Sequence, residues 1–178
     1  MVDLAEIERI SNGHGSFAIW RDGDVRDISI IKERSADLHG RVIFIGCNPS
    51  GMVPPFKNFH SVHRGGHDSW LADSIGKHPG LRGAYMTDFY KHEYSVQESG
   101  VDSSDEAIKR NVPILHEELA LFKTDNPVVV AFGDKTYKLL TKLGFTPEYL
   151  PHYARRGMKR EEFILAVMQL GNKIRQFT

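Results

Sequence analysis

The stretch that most constrains the fold is Arg41 to Gly51, RVIFIGCNPSG, where a continuous apolar run ends in a loop of small and turn-forming residues. Val42 to Ile45 predicts a short strand buried on both faces, as in a parallel sheet covered by helices. In open α/β sheets, ligands bind outside the carboxyl ends of such strands. The loop is therefore either part of a ligand site or a plain turn that happens to contain Asn and Pro.

Four residues give this loop its chemical capability. Gly46 and Gly51 let main chain approach a ligand closely, Pro49 stiffens the turn, and the Asn48 carboxamide offers both a donor and an acceptor. Cys47 is a candidate nucleophile by position, but a small apolar Cys also ends buried strands well, and we favour that interpretation.

Composition predicts one soluble domain spanning residues 1–178. No apolar run reaches the roughly 20 residues of a membrane helix, and the acidic N-terminus does not resemble a signal peptide, so a cytoplasmic monomer is expected. A single cysteine excludes an internal disulfide. The 23 cations balance the 23 anions, so any nucleic-acid site must be a local patch.

Alternating strand and helix patterns predict an α/β fold of three α/β/α layers around a mostly parallel four-stranded sheet, extended by an N-terminal helix and a β-hairpin. The hairpin is predicted because the Asp22-Gly23 turn joins two β-prone runs. The predicted hairpin arms are 16–20 and 25–31, and the predicted strands are 41–45, 81–87, 127–132 and 148–151. The predicted helices are 2–10, 68–77, 104–122, 135–143 and 159–175. Asp68 is predicted to cap the helix 68–77.

Polar residues follow three of the four predicted core strands: Asn48, Asp88 and His152. Parallel strands place their carboxyl ends along one edge, so these residues are expected to converge on one crevice. Each alone is more typical of a cap or turn, and their joint placement favours a site. Lys91 to Tyr94, just after Asp88, are expected along the rim of the crevice.

The loop Gly46-Cys47-Asn48-Pro49-Ser50-Gly51 resembles the first motif of the uracil-DNA glycosylase superfamily, especially its mismatch-specific branch, whose loop is Gly-x-Asn-Pro-Gly. Phe59 and Trp70 fall near that family's downstream aromatic positions. Val128 to Leu140 resembles its strand-Gly-helix segment, and Leu150-Pro151-His152 resembles the approach to its second motif. The resemblance covers roughly residues 41–157 through short motifs.

The resemblance implies a uracil-DNA glycosylase-like fold and hydrolysis of the N-glycosidic bond of a damaged, deaminated or mismatched base in DNA, without metal or cofactor. It implies that Asn48 positions the attacking water, that Phe59 or Phe56 stacks on the extruded base, and that His152 lies beside the leaving base. Such chemistry needs an extruded base and donors for its developing charge. The expected base-binding residues are Gly46, Cys47, Phe56, Phe59, Asp88 and Tyr153, and the expected phosphate-binding residues are Ser50, Gly51, Arg155, Arg156 and Lys159.

Three features depart from that family's pattern. The second motif is His152-Tyr153-Ala154 where the family has His-Pro-Ser or Asn-Pro-Ser, and Ser50 is inserted before Gly51. Asp88 stands where many members carry an Asn that contacts the edge of uracil. An ionised Asp only accepts hydrogen bonds, so a bound base must present an amino donor or Asp88 must be protonated. The alternative is that Asp88 caps the following loop.

Two further clusters have functional and structural interpretations. His152 to Arg160 contains Arg155, Arg156, Lys159 and Arg160 without an acid, which suits phosphate contacts or a solvated helix start. His60, His63, His67 and Asp68 lie in or beside the long loop 52–67, but their spacing matches no zinc pattern, and a flexible loop is favoured over a metal site.

The leading functional hypothesis is therefore a monofunctional DNA glycosylase. A catalytically repurposed relative that binds a nucleobase, nucleotide or nucleic acid is the first alternative, favoured by Asp88 and by the altered second motif. A phosphate-ester or nucleoside hydrolase on the same scaffold is the second, because fold does not fix function.

Overall fold

A computed structural model describes residues 2–60, 67–94 and 100–175 of the chain. Five strands form one mixed sheet, and helices pack on both of its faces. The strands are β1 (Ser16–Phe17), β2 (His39–Gly46), β3 (Ala84–Asp88), β4 (Val128–Phe132) and β5 (Glu148–Leu150). The helices are α1 (Leu4–Ile10), α2 (Ser29–Glu33), α3 (Asp68–Ser74), α4 (Asp105–Ala120), α5 (Gly133–Lys142) and α6 (Arg160–Ile174), with short 3-10 turns at Ser35–Asp37 and Ile75–Lys77.

The sheet has the strand order β1-β3-β2-β4-β5, which places β2 at its centre. Strands β3, β2, β4 and β5 run parallel, whereas β1 pairs antiparallel with the outer side of β3. The predicted α/β class and the mostly parallel sheet are confirmed. The sheet has five strands where four were predicted, because Ser16 and Phe17 join its edge.

Side chains alternate across β2 into two separate cores. Ile43 and Ile45 face a core that contains residues of α1, α2, α4 and α5, whereas Val42 and Phe44 face a core built with α3 and α6. Both faces are therefore buried, as the continuous apolar run of β2 predicts. Within the described ranges, no helix combines the length and apolar character that crossing a membrane requires.

The predicted β-hairpin is wrong. Its turn does form, with Gly23 at φ +80° and one antiparallel bridge between Arg21 and Asp24, but no ladder follows within the described residues. The first arm contributes β1 to the main sheet, and the second arm contains α2.

The helix that replaces the second arm buries Ile30 and Ile31, and Arg21 contacts residues at both of its ends. Asp27 accepts a hydrogen bond from the Ser29 backbone N–H at 2.9 Å, where α2 begins. Arg21 bonds Asp27 and also pairs with Glu33 at 2.6 Å, so one guanidinium bridges both ends of α2. These contacts stabilise a helical turn that β propensity alone does not predict.

Candidate functional site

The candidate site begins where β2 and β3 end side by side. Gly46 and Asp88 are partners in the parallel register, and the backbone N–H groups of Phe89 and Tyr90 bond the carbonyls of Gly46 and Cys47 at 3.0 Å. A Cβ atom at position 46 would overlap Oδ1 of Asp88. Glycine is therefore required here because the Asp88 carboxyl lies directly on its Cα.

The Asp88 carboxyl is buried, with 3% of its surface exposed. Its Oδ2 accepts a hydrogen bond from Nδ2 of Asn58 at 2.8 Å, and the same Nδ2 donates to the His14 carbonyl at 3.0 Å. Burial raises the pKa of Asp88 to about 6, while the Asn58 hydrogen bond and the Lys91 charge lower it and the Glu118 charge raises it. Asp88 is thus a carboxyl group that changes charge just below neutral pH.

A second set of buried polar groups surrounds Lys91, three residues after Asp88. Lys91 and Glu118 form an ion pair at 2.8 Å, and both side chains are fully buried. Glu118 also accepts hydrogen bonds from the Tyr85 hydroxyl at 2.8 Å and from Thr87 at 3.1 Å, and Lys91 bonds Thr87. The prediction that Lys91 lies on the crevice rim is therefore wrong, because its charge is satisfied inside the protein.

An aromatic wall extends from Asp88 towards the end of β5. The Phe132 ring lies 6.3 Å from Phe59 and 5.8 Å from Tyr153 between centroids, and Tyr153 stacks on His152 at 4.8 Å with an interplanar angle of 16°. The carbon at the tip of the Phe59 ring would lie 3.7 Å from a Cβ at position 46. Phe59, Tyr153 and His152 are therefore parts of one wall that begins beside Gly46.

Tyr153 connects this wall to two carboxyl groups. Burial raises the pKa of its hydroxyl well above the ordinary value, and the charges of Asp68 and Asp88 and a hydrogen bond to Asp68 raise it further. Asp68 is the first residue of α3 and is 9% exposed. The prediction that Asp68 is the helix cap is wrong, since His67 holds that position and Asp68 faces Tyr153 instead.

His152 has a defined tautomer. Its Nδ1 accepts a hydrogen bond from the Ala154 backbone N–H at 3.1 Å, so the proton of the neutral ring lies on Nε2. Burial lowers the pKa of His152 to about 4. Gly133, at φ +81°, lies so close that a Cβ there would come within 3.3 Å of the His152 Cβ. The imidazole is thus held neutral, with one N–H donor.

The segment of residues 54–60 packs onto the chain near β1. Phe56 and Phe59 both have left-handed φ values, +60° and +64°. The Phe56 carbonyl accepts a hydrogen bond from the Ser16 hydroxyl at 2.9 Å, and the Phe59 carbonyl accepts one from the Trp20 indole at 3.3 Å. These bonds hold a backbone conformation that costs about 1–3 kcal/mol per residue, which is common at functional sites.

Two predicted base-binding residues lie apart from the wall. Cys47 and Phe56 belong to the core on the opposite face of the sheet from Phe59 and Tyr153. Cys47 is 5% exposed, as expected for a small apolar residue at a strand end rather than a surface nucleophile.

The loop after β2 contains the predicted water-positioning residue. Asn48 is half-buried, and its Nδ2 donates to the Pro49 carbonyl at 3.0 Å. Ser50 is exposed, and a Cβ atom added at Gly51 would meet no described atom beyond the adjacent residues within 4 Å. Ser50 and Gly51 are thus accessible to a ligand from solvent.

The predicted phosphate-binding cations are accessible as well. Arg155, Arg156 and Lys159 are exposed, and none of them forms an ion pair within the described ranges. Arg160 differs, because it pairs with Asp73 at 2.7 Å. Since the Arg155 N–H bonds the His152 carbonyl at 2.9 Å, these cations begin immediately beside the imidazole.

The histidines of the long loop have structural roles where they are described. His60 is buried, its Nε2 contacts the Phe17 carbonyl at 3.1 Å, and its ring stacks on Trp20. His67 packs against Trp70 with ring centroids 4.0 Å apart. His63 lies outside the described residues. Within those residues, no group of three or more His, Cys, Asp or Glu side chains could hold a metal ion.

The sequence did not predict the contact of Asn58 with Asp88, the buried Lys91–Glu118 pair or the close approach of Gly133 to His152. The sequence gives no local signal for them, because the buried face of α4 contains the polar Asn111 and Glu118 beside Leu115 and so does not stand out as an apolar stripe. A groove of about 580 Å³ lies elsewhere, between α1 and the loop residues Met52, Val53 and Pro55, with Tyr94 at its side. The wall described above does not line that groove.

The sequence matches no protein-family model and no curated protein. Function is therefore inferred from the residues and the geometry of this edge of the sheet.

Proposed function

We propose that the protein is a uracil-DNA glycosylase-like enzyme that hydrolyses the N-glycosidic bond of a damaged, deaminated or mismatched base in DNA. The observation that carries the proposal is the neutral His152, with its proton on Nε2, at the end of the aromatic wall of Phe59, Phe132 and Tyr153. A uracil-DNA glycosylase-like layout, with the motif loop after the central strand β2, belongs to the same proposal.

Hydrolysis of the N-glycosidic bond requires a positioned water molecule and stabilisation of the departing base. A water oxygen attacks C1′ of the sugar while the bond from C1′ to the base nitrogen breaks, and the electron pair leaves with the base. Negative charge develops on the base, so a positioned N–H donor stabilises the transition state without itself being charged. His152 supplies that hydrogen-bond donor, the departing base takes up the proton that the attacking water releases, and an abasic site with a hydroxyl group on C1′ remains.

Asn48 is the residue proposed to position the water. It lies two residues after Gly46 in the loop at the carboxyl end of β2, and its carboxamide is held by the Pro49 carbonyl. The carboxamide also carries an acceptor atom, Oδ1, and an acceptor of this kind can orient a water molecule for attack. Arg155, Arg156 and Lys159 are proposed to hold the phosphates flanking the extruded nucleotide.

Asp88 limits the class of base. When ionised it accepts hydrogen bonds, which suits an exocyclic amino group, and when protonated it also donates, which suits a carbonyl. Asp88, Phe59 and Tyr153 are each less than a tenth exposed, so an extruded base reaches them only when covering residues move, and the 54–60 segment, whose Asn58 bonds Asp88, is one of these. Base extrusion into a site that closes by loop movement is consistent with the left-handed residues of that segment.

The alternative is a relative that binds a nucleobase, nucleotide or nucleic acid without cleaving it. The buried Asp88 favours this alternative, because its hydrogen bond to Asn58 gives it a structural function that requires no ligand.

Incubation with single-stranded and duplex oligonucleotides tests the proposal. The oligonucleotides carry uracil, hypoxanthine, xanthine, mismatched thymine or an alkylated base, and alkali then reveals abasic sites. We expect excision of at least one base, and loss of excision with retained binding in Asn48→Ala. Binding without excision of any base would favour the alternative. If the protein shows no excision of any base and no salt-sensitive binding to DNA, both the glycosylase and the binding alternative are contradicted.

A further inference from the structure

Two tyrosines form an exposed pair on the surface beside β5. Tyr137 on α5 and Tyr149 on β5 are 37% and 40% exposed, although tyrosine rings of this size are usually covered more fully. Their centroids lie 5.7 Å apart at an interplanar angle of 86°, an edge-to-face arrangement. In this arrangement one ring supports the other and leaves aromatic surface open to solvent.

Polar groups lie near the Tyr149 hydroxyl. Partial burial raises the pKa of Tyr149, a hydrogen bond to Asp134 raises it further, and the hydroxyl also interacts with Arg155. Both rings stand on regular elements, Tyr137 on α5 and Tyr149 on β5. A rigid aromatic surface binds a planar ligand with little loss of conformational entropy.

This pair is continuous with the candidate site. Tyr149 lies three positions before His152, and Arg155, which contacts Tyr149, donates its backbone N–H to the His152 carbonyl at 2.9 Å. Arg156 and Lys159 follow as exposed cations, and Lys138 is exposed beside Tyr137. The acids of this region are Asp134, which interacts with Tyr149, Glu148, which pairs with Lys173 at 2.7 Å, and Glu161 and Glu162 in the first turn of α6.

We propose that Tyr137 and Tyr149 form a stacking platform for an unpaired base of single-stranded DNA whose phosphates lie along Arg155, Arg156 and Lys159. This inference rests on the proposed DNA function and specifies the strand state of the substrate. Exposed aromatic rings beside a cationic track are the arrangement that binds single strands, because every base offers a π face. A duplex keeps its bases stacked on one another and offers none to the platform.

Fluorescence anisotropy with a short labelled oligonucleotide, single-stranded or annealed, tests the platform without requiring catalysis. Replacing both rings (Tyr137→Ala with Tyr149→Ala) should weaken single-strand binding about 5- to 150-fold, the range for losing one base stack. The paired change to Phe, which keeps the ring faces, should bind within about twofold of the native protein. Met168→Ala, at an apolar side chain of α6 that is 52% exposed, is the control and should leave affinity unchanged.

Salt dependence separates stacking from charge. The tyrosine variants should keep the slope of log affinity against log salt, whereas Arg156→Ala should reduce that slope by about 0.7. Circular dichroism and thermal melting of each variant establish that it is folded.

The platform would be overturned if the double Ala variant bound single strands as tightly as the native protein does. It would also be overturned if the double Phe variant lost as much affinity as the double Ala variant. Excision from duplex DNA by a protein that does not bind single strands would also overturn it, while leaving the proposed function intact. Ring-dependent single-strand binding without excision of any base would support the platform and count against the glycosylase.

Discussion

Asn58 and Asp88, 30 positions apart in the chain, are joined by a 2.8 Å hydrogen bond from the Asn58 carboxamide to the Asp88 carboxyl group. Because Nδ2 of Asn58 lies between two acceptors, Asp88 and the His14 carbonyl, the orientation of the carboxamide is fixed. This one side chain therefore links the 54–60 segment to β3 and to the segment before β1.

Asn58→Ala removes the link, and we expect it to destabilise the protein by about 1–3 kcal/mol near neutral pH, because the buried carboxyl group loses its donor. Urea unfolding measures the change. Asn172→Ala on the exposed surface of α6 is the matched control, and we expect a change within about 0.5 kcal/mol. Equal effects of the two changes would show that the Asn58–Asp88 bond contributes nothing.

Gly46→Ala should be destabilising by about 1–3 kcal/mol, because the new Cβ would overlap the Asp88 carboxyl group and force it to move. Gly51→Ala, in the same loop but in open space, should change stability by no more than about 1 kcal/mol. Equilibrium unfolding of both variants measures the two changes in the free energy of unfolding. A tolerated Gly46→Ala would mean that Asp88 can leave its place over Gly46 freely.

The core strands were predictable because each is a short continuous apolar run, and a sheet covered on both faces leaves that local signal. The same logic placed Asn48, Asp88 and His152 at one edge, since parallel strands end together. These predictions needed only the local pattern and the geometry of parallel sheets.

The contacts that complete the site were not predictable in the same way. Asn58 with Asp88 and Lys91 with Glu118 are pairs separated by tens of residues, and no local period encodes such a partner. The hairpin prediction was wrong for a related reason, because the residues after the turn bury Ile30 and Ile31 in the core as a helix, and no local period encodes that packing. Tertiary contacts, rather than propensity, determine these features.

Lys91→Met should destabilise the protein by about 3–5 kcal/mol, because it leaves the fully buried Glu118 without its counter-charge. Adding Glu118→Gln should recover much of the loss, since Gln keeps an acceptor for Tyr85 and Thr87 without a charge. Chemical denaturation of both single variants and the double variant gives the coupling energy.

The exposed pair of Lys173 and Glu148, 2.7 Å apart, is the control for that measurement. Lys173→Met should cost no more than about 1 kcal/mol, because both groups stay hydrated. A loss as small for Lys91→Met would mean that Glu118 takes up a proton at little cost and that the buried pair is not needed.

His152→Ala should lower the excision rate about 10²- to 10³-fold while DNA affinity changes little, because the donor acts on charge that develops in the transition state. His152→Gln, which restores an N–H donor, should recover part of the rate. With the pKa of His152 lowered to about 4, activity should not fall through protonation of this residue above about pH 5. Single-turnover assays of the three proteins give the rates, and equal rates would remove His152 from the proposed mechanism.

The charge of Asp88 should be visible in the pH dependence of stability. Its pKa is about 6 in the folded protein against an ordinary 3.8, so the folded state binds this proton more tightly than the unfolded state does. The resulting stability is fully present below about pH 4 and is lost as the pH rises to about 6, with a span of at most about 3 kcal/mol. His14, His60 and His152, whose pKa values are lowered to about 4, act in the opposite direction in this range.

The stability difference between the native protein and Asp88→Asn isolates the Asp88 contribution, because the histidines are common to both. We expect the native protein to lose stability relative to this variant between about pH 4 and pH 6, and the difference to be constant above about pH 7. Urea unfolding at a series of pH values measures it. A difference that grows in favour of the native protein as pH rises would mean that Asp88 is a stabilised carboxylate, and a base with an amino group would then be its expected ligand throughout the physiological range.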